Sequence, residues 1–252
     1  MPYPILDPSH PDPSLGSKCA LAVMAKAPHP GKVKTRLSPP LTLDQSAALN
    51  ICFLRDTTQN IAEVAMTVMA SGLISYTPVG DEGLFEGLLP NDFKLIPQRG
   101  DGFGERLLAA AEDILACGFG AVCLIDSDSP TVPASAFQLA VTALGRPGDR
   151  IVLGGSEDGG YYLIGLKKPH HEPFANIHWS TSMVYKETAL AITSAGIELV
   201  ELPLWYDVDD GETLNLLCDE LLGRKPPNFA RVPGYPALHT REFLHHLFGE
   251  RE

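Results

Sequence analysis

The sequence predicts an α/β fold of three layers, in which a mixed, mostly parallel sheet lies between helices. Short apolar runs of strand length alternate along the chain with longer amphipathic stretches, a spacing that calls for right-handed crossovers and helices on both faces of a parallel sheet. One run, Ala121-Val-Cys-Leu-Ile125, is apolar without alternation, as a central strand buried on both faces must be. Two further runs, Arg150–Leu153 and Tyr161–Leu166, are joined by Gly154-Gly-Ser-Glu-Asp-Gly-Gly160, which leaves no room for a crossover helix. An antiparallel departure is therefore expected there.

A length of 252 residues with 44% hydrophobic and 20% charged residues suits one domain with a sizeable core. Residues 1–17, rich in Pro, Asp and Ser, are expected to be a flexible leader, because such a stretch buries too little apolar surface to offset the cost of ordering. Residues 18–222 are expected to form the folded domain. Cys19–Ala25 reads as its first strand, followed by a broken stretch, Lys26–Pro40. Thr42-Leu-Asp-Gln45 is then a capping box in front of a helix whose apolar stripe is Leu43, Ala47, Ile51, Leu54, Ile61 and Ala65.

Met66–Ala70 and Phe93–Ile96 read as the next strands, and Leu107–Ala116 and Pro133–Leu144 as helices, the second with proline in its first turn, where a missing N–H costs nothing. A helix over Ser182–Ser194 and a strand over Ile197–Leu202 follow, and another helix starts near Asp210. Residues 223–252 are expected to form a proline-rich arm and a short helix, Arg241–Phe248, packed on the domain.

Thirty-one acidic against 19 basic residues give a net charge of −12, which disfavours nucleic acid and anionic membranes as partners. The N-terminus lacks a basic signal-peptide region, and no segment reaches the ~18 apolar residues of a membrane span, so a cytoplasmic location is expected. Five cysteines without a C-x-x-C pair indicate neither a disulfide framework nor a thiolate zinc site. Nothing in the pattern specifies an oligomeric state.

Against this acidic background, Lys26, Lys32, Lys34 and Arg36 cluster directly after the first strand, where open α/β sheets place ligands. Gly31 lets backbone N–H groups approach a phosphate and Arg36 can bind two oxygens at once; a solvated basic turn is the alternative. Asp126 and Asp128, two apart after the central strand, could lend oxygens to Mg²⁺ or Mn²⁺, or cap the next helix. Asp158 is placed to accept a proton, and Gly159 and Gly160 let backbone pack against a ligand; a tight hairpin explains the same residues. In Tyr206-Asp-Val-Asp-Asp210, Asp207 or Asp209 could close the metal site, with Asp210 the expected cap of the following helix. The loop Arg99-Gly-Asp-Gly-Phe-Gly-Glu-Arg106 lacks dinucleotide-fingerprint spacing and suits a base- or acceptor-facing role. Trp179 offers a stacking surface.

Taken together, K-x-P-x-x-G-x-V-K-T-R-L (Lys26–Leu37), G-x-G-E-R (Gly102–Arg106), D-S-D-S-P (Asp126–Pro130), D-G-G-Y-Y-L-I-G-L (Asp158–Leu166) and D-V-D (Asp207–Asp209) resemble a bacterial glycosyltransferase-A-like family. That family includes the arsenosugar-biosynthesis glycosyltransferase and lies within the nucleotide-diphospho-sugar transferase superfamily. The resemblance spans Cys19 to Leu222.

It implies a Rossmann-like glycosyltransferase-A fold. Lys26, Pro28, Gly31, Lys34 and Arg36, with Gly104 and Arg106, would face the nucleotide and its phosphates. Asp128 would be the principal ligand of a divalent cation, with Asp209 a candidate second; relatives often have glycine where this chain has Asp126, which stays a metal candidate on its own D-x-D spacing, and Gly159, Gly160 and Trp179 are expected from their own pattern to face sugar or acceptor. The implied reaction is metal-dependent transfer of a sugar from a nucleotide-diphospho-sugar to a small-molecule acceptor; from its own place beside two glycines Asp158 is the expected acceptor-side acid, which deprotonates the acceptor hydroxyl if the reaction inverts. The same superfamily holds the molybdenum-cofactor and phospholactate guanylyltransferases, which act on an NTP, so fold does not settle chemistry. Leu21-Ala-Val-Met-Ala-Lys26, in place of the L-x-x-G-G start of those enzymes, favours glycosyl transfer. A nucleotidyltransferase and a non-catalytic nucleotide-binding protein are the alternatives.

Overall fold

The computed structural model describes residues 2–223 and 225–249. Its elements in chain order are β1 Cys19–Lys26, α1 Leu43–Ala65, β2 Ala70–Thr77, β3 Lys94–Pro97, α2 Phe103–Ala116, β4 Ala121–Ile125 and α3 Ala134–Gly145. There follow β5 Arg150–Gly155, β6 Tyr161–Leu166, α4 Val184–Ser194, β7 Glu198–Glu201, α5 Gly211–Leu221 and α6 Leu238–Phe248. The strands form one sheet in the order β3-β2-β1-β4-β6-β5-β7. Every pairing is parallel except those of β6, which runs antiparallel to both β4 and β5. The sheet is mixed for the reason legible in the sequence: the 154–160 connection is too short to cross over.

Side-chain alternation divides the core between the two faces. Leu21 and Val23 of β1 and Cys123 and Ile125 of β4 pack with Phe53 of α1, Phe137 of α3, Leu217 of α5 and Leu244 of α6. Ala20 and Ala22 of β1 and Val122 and Leu124 of β4 pack on the other side with Ile114 of α2 and Ile192 of α4. Helix α1 starts at the expected capping box: the Gln45 amide donates to Thr42 Oγ1 at 3.1 Å, and the Thr42 amide to Gln45 Oε1 at 2.8 Å.

Two expectations are corrected. Met66–Ala70 is not a strand: Met66 and Met69 are exposed, and the segment is the turn that ends α1. The strand starts at Ala70, and its less apolar sequence, ASGLISYT, is buried because β1 and β3 flank it. The leader expected over 1–17 is tied down over its described residues. Ile5 bridges to Leu95, the Leu6 amide donates to Leu95 O at 2.8 Å, the Asp12 amide donates to Cys117 O at 2.9 Å, and Leu15 is buried. A polar, proline-rich stretch cannot fold alone, but here the edge of β3 offers unpaired backbone groups that it satisfies.

Past α5 the chain returns across the domain, where Phe229 packs edge-on against Trp205 at 5.9 Å and the Tyr235 amide donates to Thr131 O at 2.9 Å. The N-terminus of α6 is capped from outside its own sequence: buried Asp56 of α1 accepts from the amides of His239 at 3.0 Å and Thr240 at 2.7 Å. The C-terminal ends of β1, β4, β5 and β7 and the start of the reversed β6 all lie at one edge of the sheet. That edge carries every loop considered next.

Candidate active site

Backbone hydrogen bonds stitch these loops into one rim. The Asp126 amide donates to Tyr162 O at 2.9 Å, that of Val208 to Asp128 O at 2.9 Å, and that of Trp205 to Gly155 O at 3.0 Å. The D-x-D after β4, the hairpin between β5 and β6, and the D-V-D before α5 are thereby held together, although up to 82 residues separate Asp126 from Val208 in sequence.

Two cavities of opposite character open on this rim. A basic one of about 250 Å³ is walled by Lys26 at the end of β1, by Lys32, Thr35 and Arg36 of the loop after it, and by Asn50 of α1. An acidic one of about 470 Å³ is lined by Asp126, Asp158 and Asp207 together with Phe103, Tyr161 and Trp179. They meet at Arg36, Asp128 and Asp209, which line both.

At this junction Lys34, expected to face phosphate, lines the basic cavity with its ammonium turned toward the acids. Its side chain is 4% exposed, and its ammonium lies 2.8 Å from Asp128 Oδ1 and 2.9 Å from Asp209 Oδ1, and donates to Val208 O at 2.6 Å. The ring of Phe53 lies 5.7 Å from the same ammonium. Burial works to lower the Lys34 pKa, but the two carboxylates outweigh it and hold the pKa above its ordinary value. Lys34 also has left-handed backbone, φ 48° and ψ 35°, a conformation costly for a residue with a Cβ. The ion pairs and the turn thus hold one another in place.

In the neighbouring acids burial outweighs the compensation. Burial, and then the charge of Asp128, push Asp126 well above the usual carboxylate range, against the hydrogen bond from Ser129. Asp207 is raised in the same way, first by burial, although Ser156 Oγ donates to it at 2.7 Å. Burial thus favours the neutral form of both carboxyls, and a cation bound beside them would favour the ionised form.

The donor set fits a hard divalent cation in its chemistry, since carboxylate oxygens are what Mg²⁺ and Mn²⁺ prefer. The ammonium between Asp128 and Asp209 marks a point at which positive charge is already stable. Among the described residues no three acidic, histidine or cysteine side chains converge as a preformed cage.

The other expected residues divide. Lys26 and Arg36 line the basic cavity, and Asp158, Gly160 and Trp179 the acidic one. Gly31, at φ 71°, supplies the left-handed turn of the basic loop. Pro28 is buried and, with Arg106, lines neither cavity. Gly104 is used for packing instead: a Cβ there would lie 2.7 Å from Trp179 Nε1, so its absence lets the indole settle on α2. Gly159, at φ 89°, closes the hairpin, and a Cβ there would meet Ser182 O at 2.2 Å. Sequence reasoning missed Asn50 and Phe103. Phe103 is 49% exposed and stacks edge-on to Trp179 at 5.1 Å, and an apolar residue between two glycines at a helix start was a usable signal. Asn50, inside a long amphipathic helix, carried none.

This fold, with a basic and an acidic cavity sharing one rim at the carboxyl ends of its strands, places the chain among the transferases of the Rossmann-like class. A Desulfovibrio desulfuricans G20 protein, provisionally assigned as a nucleotide-diphospho-sugar transferase, is 32% identical with a TM-score of 0.74, over 92% of this chain and 98% of its own. The chain belongs to the same family as that protein. Residues 60–181 match the family described as an uncharacterized protein conserved in bacteria (DUF2064). Two more distant structures share the fold alone. The 4-diphosphocytidyl-2C-methyl-D-erythritol synthase of Anaerococcus prevotii DSM 20548 is 10% identical over 84% of this chain and all of its own, with a TM-score of 0.53. A CMP:2-keto-3-deoxy-manno-octonic acid synthetase, in complex with CTP, is 13% identical over 82% and all of its own, with a TM-score of 0.50. No curated protein matches the sequence significantly.

Proposed function

We propose that this chain transfers a sugar from a nucleotide-diphospho-sugar to a small-molecule acceptor, with the diphosphate in the basic cavity and the acceptor in the acidic, aromatic-walled one. The observation that carries this reading is the meeting of the two cavities at Arg36, Asp128 and Asp209. A group bound across that junction has its anionic end among cations and its transferable end beside carboxylates.

In this reading Lys26, Lys32 and Arg36 neutralise the diphosphate, and Phe103 and Trp179 give the acceptor an apolar face to lie on. Asp158 accepts the acceptor's hydroxyl proton while that oxygen bonds to the anomeric carbon. The carbon's bond to the phosphate oxygen breaks, and the nucleoside diphosphate leaves with the electron pair. Mg²⁺ or Mn²⁺, held by Asp128 and Asp209 with Asp126 near, would supply electrostatic stabilisation of the departing diphosphate. The motifs shared with the arsenosugar-biosynthesis glycosyltransferase group support the glycosyl version. Nucleotidyl transfer from an NTP is the second reading, favoured by the fold shared with the CTP-complexed synthetase.

The test is the thermal midpoint of the protein with UDP-, GDP-, ADP- and dTDP-sugars and the matching NTPs, with and without Mg²⁺ or Mn²⁺. A ligand at 100 times its Kd adds about 2.7 kcal/mol. For a chain of this size that is a rise of roughly 5–10 °C. Stabilisation by one NDP-sugar supports glycosyl transfer, selective stabilisation by an NTP replaces it with nucleotidyl transfer, and no response to any ligand refutes both.

A further inference from the structure

The carboxylates of Asp128 and Asp209 already hold a cation, and it belongs to the chain. The Lys34 ammonium lies 2.8 Å from Asp128 Oδ1 and 2.9 Å from Asp209 Oδ1, and donates to Val208 O at 2.6 Å. Those three contacts engage all three of its donors. The Lys34 side chain is 4% exposed, whereas those of Asp128 and Asp209 are 33% and 44% exposed and line both cavities. The acids can therefore be reached from solvent while the ammonium is shielded. Its loop neighbours behave differently: Lys32 and Arg36 are exposed, and Arg36 comes no nearer to Asp209 than 3.9 Å.

Mg²⁺ takes carboxylate oxygens at about 2.1 Å. An ion held by the two oxygens that Lys34 uses would stand beside the ammonium with like charge, in a place where little water separates them. We infer that Lys34 is an internal competitor of the divalent cation: ammonium and metal take the same two carboxylate oxygens in turn, and a metal binding there displaces the ammonium toward the basic cavity that Lys34 also lines. The inference rests on the proposed placement of the metal at Asp128 and Asp209. It adds that metal affinity is set by a lysine as well as by the acids, and that each metal bound releases one positive charge on the diphosphate side.

Two measurements test it without reference to turnover. Titration calorimetry with manganese chloride is expected to show binding tighter by roughly 10- to 100-fold in Lys34→Met than in the wild type, because the competing charge is gone. Asp128→Asn, expected to abolish that binding, identifies the site. In the wild-type protein, acetylation by acetic anhydride, read peptide by peptide by mass spectrometry, is expected to be slow at Lys34 and fast at Lys32. Saturating manganese is expected to speed the reaction at Lys34 at least 10-fold and to leave Lys32 unchanged. Should Lys34→Met be too unstable to titrate, the labelling decides alone.

Equal or weaker manganese binding by Lys34→Met would overturn the competition while leaving the metal placement standing. Protection of Lys34 that persists at saturating manganese would do the same, since it would mean that the ammonium stays on the acids. Manganese that binds neither protein, or that binds as well after Asp128→Asn, would overturn the metal placement too.

Discussion

Replacing Lys34 by methionine removes the ammonium at the junction of the two cavities and keeps the volume of its stem. Its contacts to Asp128, Asp209 and the Val208 carbonyl, at 2.8, 2.9 and 2.6 Å, are lost together. Taking one partner from a buried ion pair costs about 3–5 kcal/mol. Here Asp128 and Asp209 are 33% and 44% exposed, so water takes over part of the ammonium's role and the figure must be discounted. About 2 kcal/mol remains, a fall of roughly 4–8 °C in thermal midpoint for a chain of this length. Urea unfolding measures it as a shift of midpoint at constant slope.

The sign of the pH dependence follows from the raised pKa. A lysine whose folded pKa lies above its ordinary 10.5 contributes stability that is fully present below that value and is lost as pH rises through the folded one. The difference between wild type and Lys34→Met is therefore expected to be constant from neutral pH to about 10 and to narrow above it. A variant within about 0.5 kcal/mol of the wild type at pH 7 would refute the reasoning, since ordinary surface substitutions fall in that range.

Asp158→Asn is expected to lower turnover on the true acceptor by roughly 10²- to 10⁴-fold while leaving donor binding, followed by thermal shift, unchanged. Undiminished turnover removes Asp158 from the mechanism. In Gly104→Ala the new Cβ would stand 2.7–2.9 Å from Trp179 atoms, so the indole must move and stability should fall by about 1–3 kcal/mol. The other tryptophan, Trp205, is 1% exposed, so altered fluorescence would report on Trp179, and an unchanged spectrum would contradict the packing described. Asp56→Ala deprives the amides of His239 and Thr240 of their acceptor and is expected to cost about 1 kcal/mol, with faster hydrogen exchange at both. Unchanged exchange there would show that the cap does not hold α6.

The layout of the fold was legible because it depends on local pattern. Ala121–Ile125 had to be central because it is apolar on both faces, and the short 154–160 connection had to turn the sheet antiparallel. The capping box at Thr42 and the cap at Asp210 depend on residues three apart or fewer. Met66–Ala70 misled because apolar composition was read without its context, a helix end that leaves Met66 and Met69 in solvent. The N-terminal segment misled because its order comes from Leu95 and Cys117, far along the chain.

The candidate site divides the same way. Sequence alone determined which chemistries are present: a cluster of cations after β1 in an acidic chain, aspartates at strand ends, and glycines where backbone must come close. It could not determine which of these charges meet, because a charge in a sequence has no partner until the chain is folded. Lys34 reaches Val208 and Asp209 across 174 and 175 residues, and Asn50 reaches the basic loop only because α1 packs behind it. Tertiary structure alone decided that a predicted phosphate-binding lysine would hold two acids, and that cationic and acidic walls would share one rim. Side-chain electrostatics depends on distance and burial, and packing sets both.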